Sequence, residues 1–196
     1  MTNEKQGLRE RKKEETRRTL SEAALKLALE RGVAQVRVED IAVAANVSMR
    51  TFNNYFASKE AAIVGNAYER AERLAATLAG RPHDEPLADS VRAAVLAGFS
   101  EAPDRQWLAR VGLLRDDPAL IGATRKVEIE IEQDLARVIA ARTSKDAKLD
   151  LQPALLASML LAAIRTAVFY WANDPRGGST LLETLGQAIL HVQFGH

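Results

Sequence analysis

The stretch VEDIAVAANVSMRTFNNYFASKE, residues 38–60, decides how the first part of this 196-residue chain folds. Its apolar side chains recur at helical spacing on both sides of a short polar step at Asn46 and Ser48. Asparagine tolerates the left-handed backbone of a tight turn, and serine caps a following helix. The side chains able to form a small core here are those of Ile41, Ala42, Ala45, Val47, Phe52 and Phe56. The stretch therefore predicts two short helices that cross at a steep angle.

The side chains that this core leaves outside belong mostly to the second short helix. They are those of Ser48, Met49, Arg50, Thr51, Asn53, Asn54 and Tyr55. Arginine and asparagine form paired hydrogen bonds with guanine and adenine, and hydroxyl and amide groups reach phosphates. Taken singly, each of these residues fits an ordinary exposed surface equally well, and Tyr55 fits a roof over the core. Taken together, they favour contact with DNA.

The same stretch resembles the DNA-binding domain of the TetR family of one-component transcriptional regulators. The resemblance spans about residues 16–63. It rests on the pairs Ile41-Ala42, Val47-Ser48 and Thr51-Phe52, and on the run Tyr55-Phe56-x-x-Lys59-Glu60. This combination joins a two-helix core to a tyrosine and a lysine at fixed offsets, so the resemblance is specific.

The resemblance implies a role for each residue of the motif. Met49, Arg50, Thr51 and Asn53 would face the major groove, with Arg50 reading a guanine and Asn53 an adenine. Ser48, Asn54, Tyr55 and Lys59 would hold phosphates. The alternative for Lys59 is an ordinary solvated lysine on the surface.

Two flanking features bear on the same surface. Where the family often has threonine before its second helix, this chain has Val36 and Arg37, which removes the helix cap and offers Arg37 as a phosphate contact instead. The segment from residue 5 to residue 18 carries seven basic against three acidic residues. Such a run is either a solvated helix face or an arm that neutralises phosphates. The candidates in the arm are Arg9, Arg11, Lys12 and Lys13.

Helical periodicity continues along the rest of the chain, and no strand pattern is present. The sequence predicts an all-α protein of about nine helices. A three-helix helix-turn-helix domain over residues 1–57 would precede a larger helical domain over residues 58–196. The resemblance implies that this second domain binds a ligand and dimerises.

Composition excludes several other classes of protein. The chain has no cysteine, and its three histidines lie in a linker and near the end, so neither a metal site nor a nucleophile-and-base pair is expected. We expect no enzymatic activity and no cofactor. The start of the chain lacks the apolar core of a signal peptide, and the apolar run over residues 153–164 is too short to span a membrane. A cytoplasmic protein without membrane contact is therefore expected.

The last two predicted helices carry the dimer hypothesis. The helix near residues 155–172 is apolar on more than one side, so it is buried on more than one side. The final helix has an apolar stripe of Leu181, Leu182, Leu185, Ala188, Ile189 and Val192. In the family, two such helices pair with their two-fold copies in a four-helix bundle. The alternative is that the stripe packs within one subunit.

Candidate effector contacts are fewer and less specific. Arg165 interrupts an apolar helix and needs an anionic partner, either a ligand acid or a carboxylate from the run Glu128, Glu130, Glu132 and Asp134. The aromatic residues Phe99, Trp107 and Phe169, together with Tyr170 and Trp171, line either a pocket or a core. The segment around Trp107 and the helix with Arg165 look like the subgroup whose effectors are similar to acyl-CoA.

These observations predict a ligand-responsive, sequence-specific DNA-binding regulator. The resemblance implies a repressor, in which a homodimer leaves a palindromic operator on double-stranded DNA when a small molecule binds. An activator would have the same sequence features. The alternative from another class is an all-helical protein interaction module, which the periodicity alone would permit.

Overall fold

The computed structural model describes residues 2–65, 67–100, 105–174 and 178–192, and among these it leaves aside the side chains of residues 2–10, 68, 69, 105 and 106. Within those ranges the chain is all-α and has no strand, which confirms the predicted fold class. The helices are α1 (Thr2–Arg31), α2 (Val38–Ala44), α3 (Met49–Tyr55), α4 (Lys59–Val64), α5 (Ala67–Ala79), α6 (Leu87–Gly98), α7 (Arg105–Asp116), α8 (Pro118–Arg142), α9 (Leu151–Ala172) and α10 (Leu181–Leu190), with a 3-10 turn over Val33–Gln35.

The chain divides into two compact units. Unit 1 contains Met1–Asn66 and Gly112–Thr124, and unit 2 contains Ala67–Val111 and Arg125–His196. The boundary predicted between residues 57 and 58 lies inside unit 1. As a division of function, that boundary stays a prediction.

The helix-turn-helix of unit 1 forms as its sequence predicts. Asn46 has φ 54°, which is the left-handed turn. Ser48 and Ser58 cap α3 and α4, because their Oγ atoms accept hydrogen bonds from the backbone N–H groups of Thr51 at 3.0 Å and Ala61 at 3.2 Å. Five of the six predicted core residues are buried, and the sixth, Val47, is half-buried against them.

The core of unit 1 also receives a residue from far along the chain. Leu120, in the first turn of α8, is fully buried in the same cluster as Phe52. Leu113 and Leu114, near the end of α7, pack against this cluster from the same segment. The corner between α7 and α8 therefore belongs to the unit that carries the helix-turn-helix.

The fourth helix differs from its prediction. The sequence favours one helix from Lys59 to about Gly80, but α4 ends at Val64 and α5 begins at Ala67. Between them Gly65 has φ 76° and ψ −130°, a backbone conformation that side chains with a Cβ rarely adopt. This break raises the number of α-helices in the described ranges from about nine to ten.

In unit 2, close helix contacts fix the positions of the side chains discussed below. Helices α5 and α6 pack together at Gly98, where a Cβ atom would lie at an ordinary van der Waals distance of 3.5 Å from the carbonyl oxygen of Arg70. Helix α10 packs against α9 and α6. Helix α9 is long and apolar enough to cross a membrane by length and composition. It buries Leu156, Leu160 and Ile164 in the fold, and 22% of its most apolar 18-residue window is buried.

Candidate nucleic-acid interface

Helix α3 presents a polar face that its core contacts hold in place. Phe52 is fully buried and lies 5.8 Å from Phe56, measured between ring centroids, so one side of the helix is anchored. On the other side Arg50, Asn53 and Asn54 are exposed, and Met49 keeps 45% of its surface accessible. The predicted base-reading residues Arg50 and Asn53 therefore share an open surface.

The remaining motif residues of α3 are partly occupied by contacts within the protein. The hydroxyl groups of Ser48 and Thr51 lie 2.8 Å apart and share a hydrogen bond. Ser48 also caps α3, and Thr51 is half-buried. Tyr55 is half-buried against the core cluster, as in the interpretation of Tyr55 as a roof over the core. These residues line the same helix, but their side chains are less free than those of Arg50 and Asn53.

Arg37 lies at the start of α2, where its backbone is extended and no side chain caps the helix. Its side chain is exposed. The loss of a threonine cap that the sequence indicates is therefore visible in the structure. The acidic residues Glu39 and Asp40 occupy the first turn of α2, where they complement the positive end of the helix dipole.

Lys59 has partners that its motif did not predict. Its Nζ donates hydrogen bonds to the carbonyl oxygens of Val33 at 2.9 Å, Ala34 at 3.3 Å and Val36 at 2.9 Å. Its side chain is 23% exposed, and the Glu60 carboxylate lies 3.9 Å from the Nζ. The implied phosphate contact of Lys59 stays a prediction, whereas the observed contacts are internal to unit 1.

The basic amino-terminal segment is helical, because α1 begins at Thr2, whereas the helical spacing of the sequence predicts a start near Leu8. Arg11, Lys12 and Lys13 are exposed, whereas the side chain of Arg9 lies outside the described residues. Arg17 is half-buried with its guanidinium 5.0 Å from the centroid of the Phe56 ring. This role of Arg17 was not predicted, because a basic run gives no sign of which member folds back on the core.

In unit 2, two of the candidate effector residues lie together. The Arg70 guanidinium lies 4.8 Å from the ring centroid of Phe99 and 5.5 Å from that of Trp107. The Trp107 ring lies 6.0 Å from that of Trp171, whose Nε1 donates to the carbonyl oxygen of Ser179 at 2.9 Å. We call Arg70, Phe99, Trp107 and Trp171 the aromatic–arginine cluster. Arg70 was not predicted, because nothing in its helical repeat separates it from a surface arginine.

The other two candidate effector residues, Arg165 and Phe169, are not part of the aromatic–arginine cluster. Arg165 donates from Nη1 to both carboxylate oxygens of Glu128, at 2.9 and 3.0 Å. This is the structural ion pair that the sequence offers as the alternative to a ligand anchor. Arg125 reaches Glu128 and Glu132 from the same helix. Phe169 is half-buried on α9.

Exposed apolar residues line α9 and α10. Leu151, Leu155 and Tyr170 on α9 are 78%, 51% and 69% exposed, and Leu182 and Leu190 on α10 are 39% and 72% exposed. The spacing of Leu151, Leu155 and Tyr170 places them along one side of α9. Of the predicted stripe, only Leu182 is exposed, Ala188 is half-buried, and the remaining members are buried: Leu181, Leu185, Ile189 and Val192. Leu190, which is outside the predicted stripe, is exposed as well.

Metal binding finds no support in the part of the chain that the structure describes, where no group of three or more metal-ligating side chains comes together. His83 and His191 are both exposed.

Comparison with protein families gives two matches that together span most of the chain. Residues 20–62 match the family described as bacterial regulatory proteins of the tetR family. Residues 85–195 match the MftR C-terminal domain. The first match covers the helix-turn-helix, and the second covers more than half of the chain.

Two named relatives are similar over most of their lengths. The HTH-type transcriptional regulator TcmR of Streptomyces glaucescens is 32% identical over 84% of this chain and 76% of its own. A putative mycofactocin biosynthesis transcriptional regulator, MftR of Mycobacterium tuberculosis, is 28% identical over 94% of this chain and 93% of its own.

Solved structures share the fold at lower identity. The FadR repressor of Thermus thermophilus, solved with lauroyl-CoA, superposes with a TM-score of 0.54 at 23% identity, over 92% of this chain and 96% of that chain. A TetR-family regulator of Streptomyces coelicolor gives a TM-score of 0.52 at 20% identity, over 90% of this chain and 78% of that chain. The family matches and the similarity to TcmR show that the chain belongs to the TetR family of transcriptional regulators, whose members are ligand-responsive repressors.

Proposed function

We propose that this protein is a homodimeric repressor that reads a palindromic operator through α3 and leaves it when an amphipathic anionic effector binds to unit 2. The observation that carries the proposal is the open polar face of α3, with Arg50 and Asn53 exposed beside an anchored Phe52. A helix in the major groove reads bases with residues near its N-terminus, where Arg50 lies. A scaffold protein has no physical need for such a face.

Each residue of the proposed interface has a distinct task. Arg50 forms a bidentate pair with guanine, Asn53 pairs with adenine, and Met49 offers an apolar contact to a thymine methyl group. Thr51 contributes less to base contacts, because its hydroxyl group shares a hydrogen bond with that of Ser48. The groups assigned to phosphates are Arg37, Ser48, Asn54 and Tyr55, with Arg11, Lys12 and Lys13 of α1 adding longer-range charge.

The dimer forms through α9 and α10 in this proposal. Leu151, Leu155 and Tyr170 give α9 an apolar outer side, and Leu182 and Leu190 extend it on α10. Two copies of such a helix pair, related by a two-fold axis, bury these residues in a four-helix bundle. The two-fold axis also explains a palindromic operator, because the two α3 helices then meet identical half-sites about 34 to 36 Å apart.

The effector site proposed here is the aromatic–arginine cluster. Aromatic faces offer apolar contact to a hydrocarbon chain, and the Arg70 guanidinium offers hydrogen bonds to a phosphate or carboxylate. The lauroyl-CoA bound by the FadR neighbour has both kinds of group, which makes it the first compound to try. Arg165 is left out of this site, because it contacts Glu128 and lies outside the aromatic–arginine cluster.

Release follows from differential affinity. An effector shifts the equilibrium only if it binds the state with low operator affinity more tightly than the other state. No catalytic step is assigned to any residue, and the protein acts in the cytoplasm, where bacterial DNA lies.

The first test is selection of bound duplexes from a random library by the purified full-length chain, followed by affinity titrations at two salt concentrations. We expect a palindromic motif whose affinity falls steeply with salt. An interaction module would enrich no motif, and that result from a folded sample would overturn the proposal. The mass of the protein in solution, measured with the selected duplex, separates a dimer from a monomer.

A further inference from the structure

The ammonium group of Lys59 closes the turn that leads into α2. Its three protons match the three carbonyl oxygens that surround it, those of Val33, Ala34 and Val36. These carbonyls belong to the 3-10 turn and to Val36, the C-cap of that turn. The carbonyl oxygen of Val33 also accepts the backbone N–H of Val36 at 3.3 Å. The end of a short helix has few backbone donors for its last carbonyl oxygens, and the lysine supplies hydrogen bonds to those of Ala34 and Val36.

The position of Lys59 ties this turn to the recognition helix. Lys59 is the first residue of α4, and Ser58 before it caps α4. Only Phe56 and Ala57 separate that cap from the end of α3. The ammonium therefore links the chain just after α3 to the chain just before α2 across 23 residues of sequence.

Arg37 follows directly on the anchored residue Val36. Its backbone is extended, and no side-chain hydrogen bond holds the N-cap that it forms. Lys59 holds the carbonyl oxygen of Val36 at 2.9 Å, and this carbonyl belongs to the peptide bond that joins Val36 to Arg37. The hydrogen bond therefore fixes the backbone position from which the exposed side chain of Arg37 extends. We propose that Lys59 is a positioning residue, which fixes the turn at Val36 so that Arg37 reaches a phosphate. This inference rests on the proposed DNA interface.

A double-mutant cycle on the full-length protein tests the inference. The variants are Lys59→Met, Arg37→Ala and their combination, each titrated against the selected duplex at several salt concentrations. Lys26→Met, an exposed lysine of α1 in the same unit, serves as the control for the loss of one positive charge. The measured quantity is the slope of log affinity against log salt, which changes by about 0.9 for each phosphate that the protein no longer neutralises.

The inference expects the two single variants to act on the same phosphate. Lys59→Met and Arg37→Ala should each flatten the slope by about 0.9, and the double variant should flatten it by no more than either alone. A double variant whose slope falls by about twice that amount shows that Lys59 holds a phosphate of its own, which overturns the inference. A Lys59→Met slope equal to the wild-type slope reduces Lys59 to a purely structural residue and overturns it as well.

Two further results separate this inference from the proposed function. If the wild-type protein selects no duplex, the proposed function fails. If it does, but Arg37→Ala keeps the wild-type slope, then only the Arg37 contact and the inference built on it fail. Because Lys59→Met removes three hydrogen bonds, its helix content and thermal midpoint are checked. Lys59→Gln, which keeps two donors, repeats the cycle with a milder change.

Discussion

The Nη2 of Arg142 lies 2.8 Å from the Oγ of Ser90, a wholly buried side chain in α6. The same guanidinium donates to the carbonyl oxygens of Arg81 and Pro82, both at 2.8 Å. Ser90 in turn donates to the carboxylate of Glu85 at 2.5 Å. The end of α8 is therefore bound to the connection between α5 and α6 through one arginine.

Replacement of Arg142 by methionine should destabilise unit 2. The change keeps an apolar stem but removes the arginine donor from the buried Oγ of Ser90 and from the part-buried carbonyl oxygen of Arg81, which costs about 2 to 4 kcal/mol. Urea unfolding followed by circular dichroism measures the loss. Arg137→Met, on an exposed residue of the same helix, is the matched control and should stay within about 0.5 kcal/mol of wild type. Equal losses for the two variants would contradict this role of Arg142.

Glu85 should make the stability of the protein depend on acidity. The hydrogen bond from Arg81, followed by that from Ser90, lowers the pKa of Glu85 from 4.5 to about 2. Because the folded-state pKa is the lower one, the stabilisation is complete above about pH 4.5 and is lost as the pH falls toward about 2. Glu85→Gln should flatten the fall of the unfolding midpoint across this window.

The control for the Glu85 prediction is Asp84→Asn, which removes one negative charge from the same loop. Unfolding midpoints are compared at matched pH values from neutral to about 2. If both variants alter the pH dependence equally, general charge and not the contact with Arg81 accounts for it.

The sequence predicted the helix-turn-helix well because its signals are local. Asn46 at the turn, Ser48 at the cap and the apolar spacing around Phe52 each act within a few residues, and the structure confirms all three. Gly65 was harder, because a glycine inside a helical pattern is often tolerated and only its positive φ shows that the helix ends there.

Contacts between distant residues account for what the sequence did not predict. Leu120 packs in the core of unit 1 although it is far along the sequence from the helix-turn-helix. The apolar spacing of its own helix does not indicate which core it joins. Lys59 finds carbonyl oxygens 23 to 26 residues earlier in the chain. Its motif suggests a charged surface contact instead. Arg70 joins Phe99 and Trp107 only because α5, α6 and α7 meet.

Arg50→Ala should reduce sequence discrimination more than it reduces binding to DNA in general. A bidentate pair with guanine is worth about 1 to 3 kcal/mol of discrimination, whereas random DNA is held mainly through phosphates. Affinities for the selected duplex, for single-base variants of it and for random duplex measure the difference. The loss should concentrate at one base-pair position in each half-site.

Lys26→Ala is the control for Arg50, since Lys26 is an exposed base in the same unit and is not part of the proposed interface. It should retain the wild-type preference among the single-base variants. Equal losses on selected and random duplex for Arg50→Ala would show that Arg50 binds phosphate and does not read a base.

The effector site can be followed by its own fluorescence, because both tryptophans of the chain, Trp107 and Trp171, belong to the aromatic–arginine cluster. Titration with lauroyl-CoA should change the tryptophan emission and weaken binding to the selected duplex. Arg70→Met should bind lauroyl-CoA more weakly by about 1.5 to 3 kcal/mol, the value of a hydrogen bond to a charged group.

Arg165→Met is the comparison for Arg70→Met, because both replace an arginine of unit 2 but Arg165 lies outside the aromatic–arginine cluster, where it contacts Glu128. It should bind lauroyl-CoA like wild type and lose at most about 1 kcal/mol of stability, since its side chain is 42% exposed. If Arg165→Met weakens lauroyl-CoA binding and Arg70→Met does not, the effector lies at the ion pair and not at the aromatic–arginine cluster. If wild-type emission and operator binding do not respond to lauroyl-CoA, the effector belongs to another chemical class.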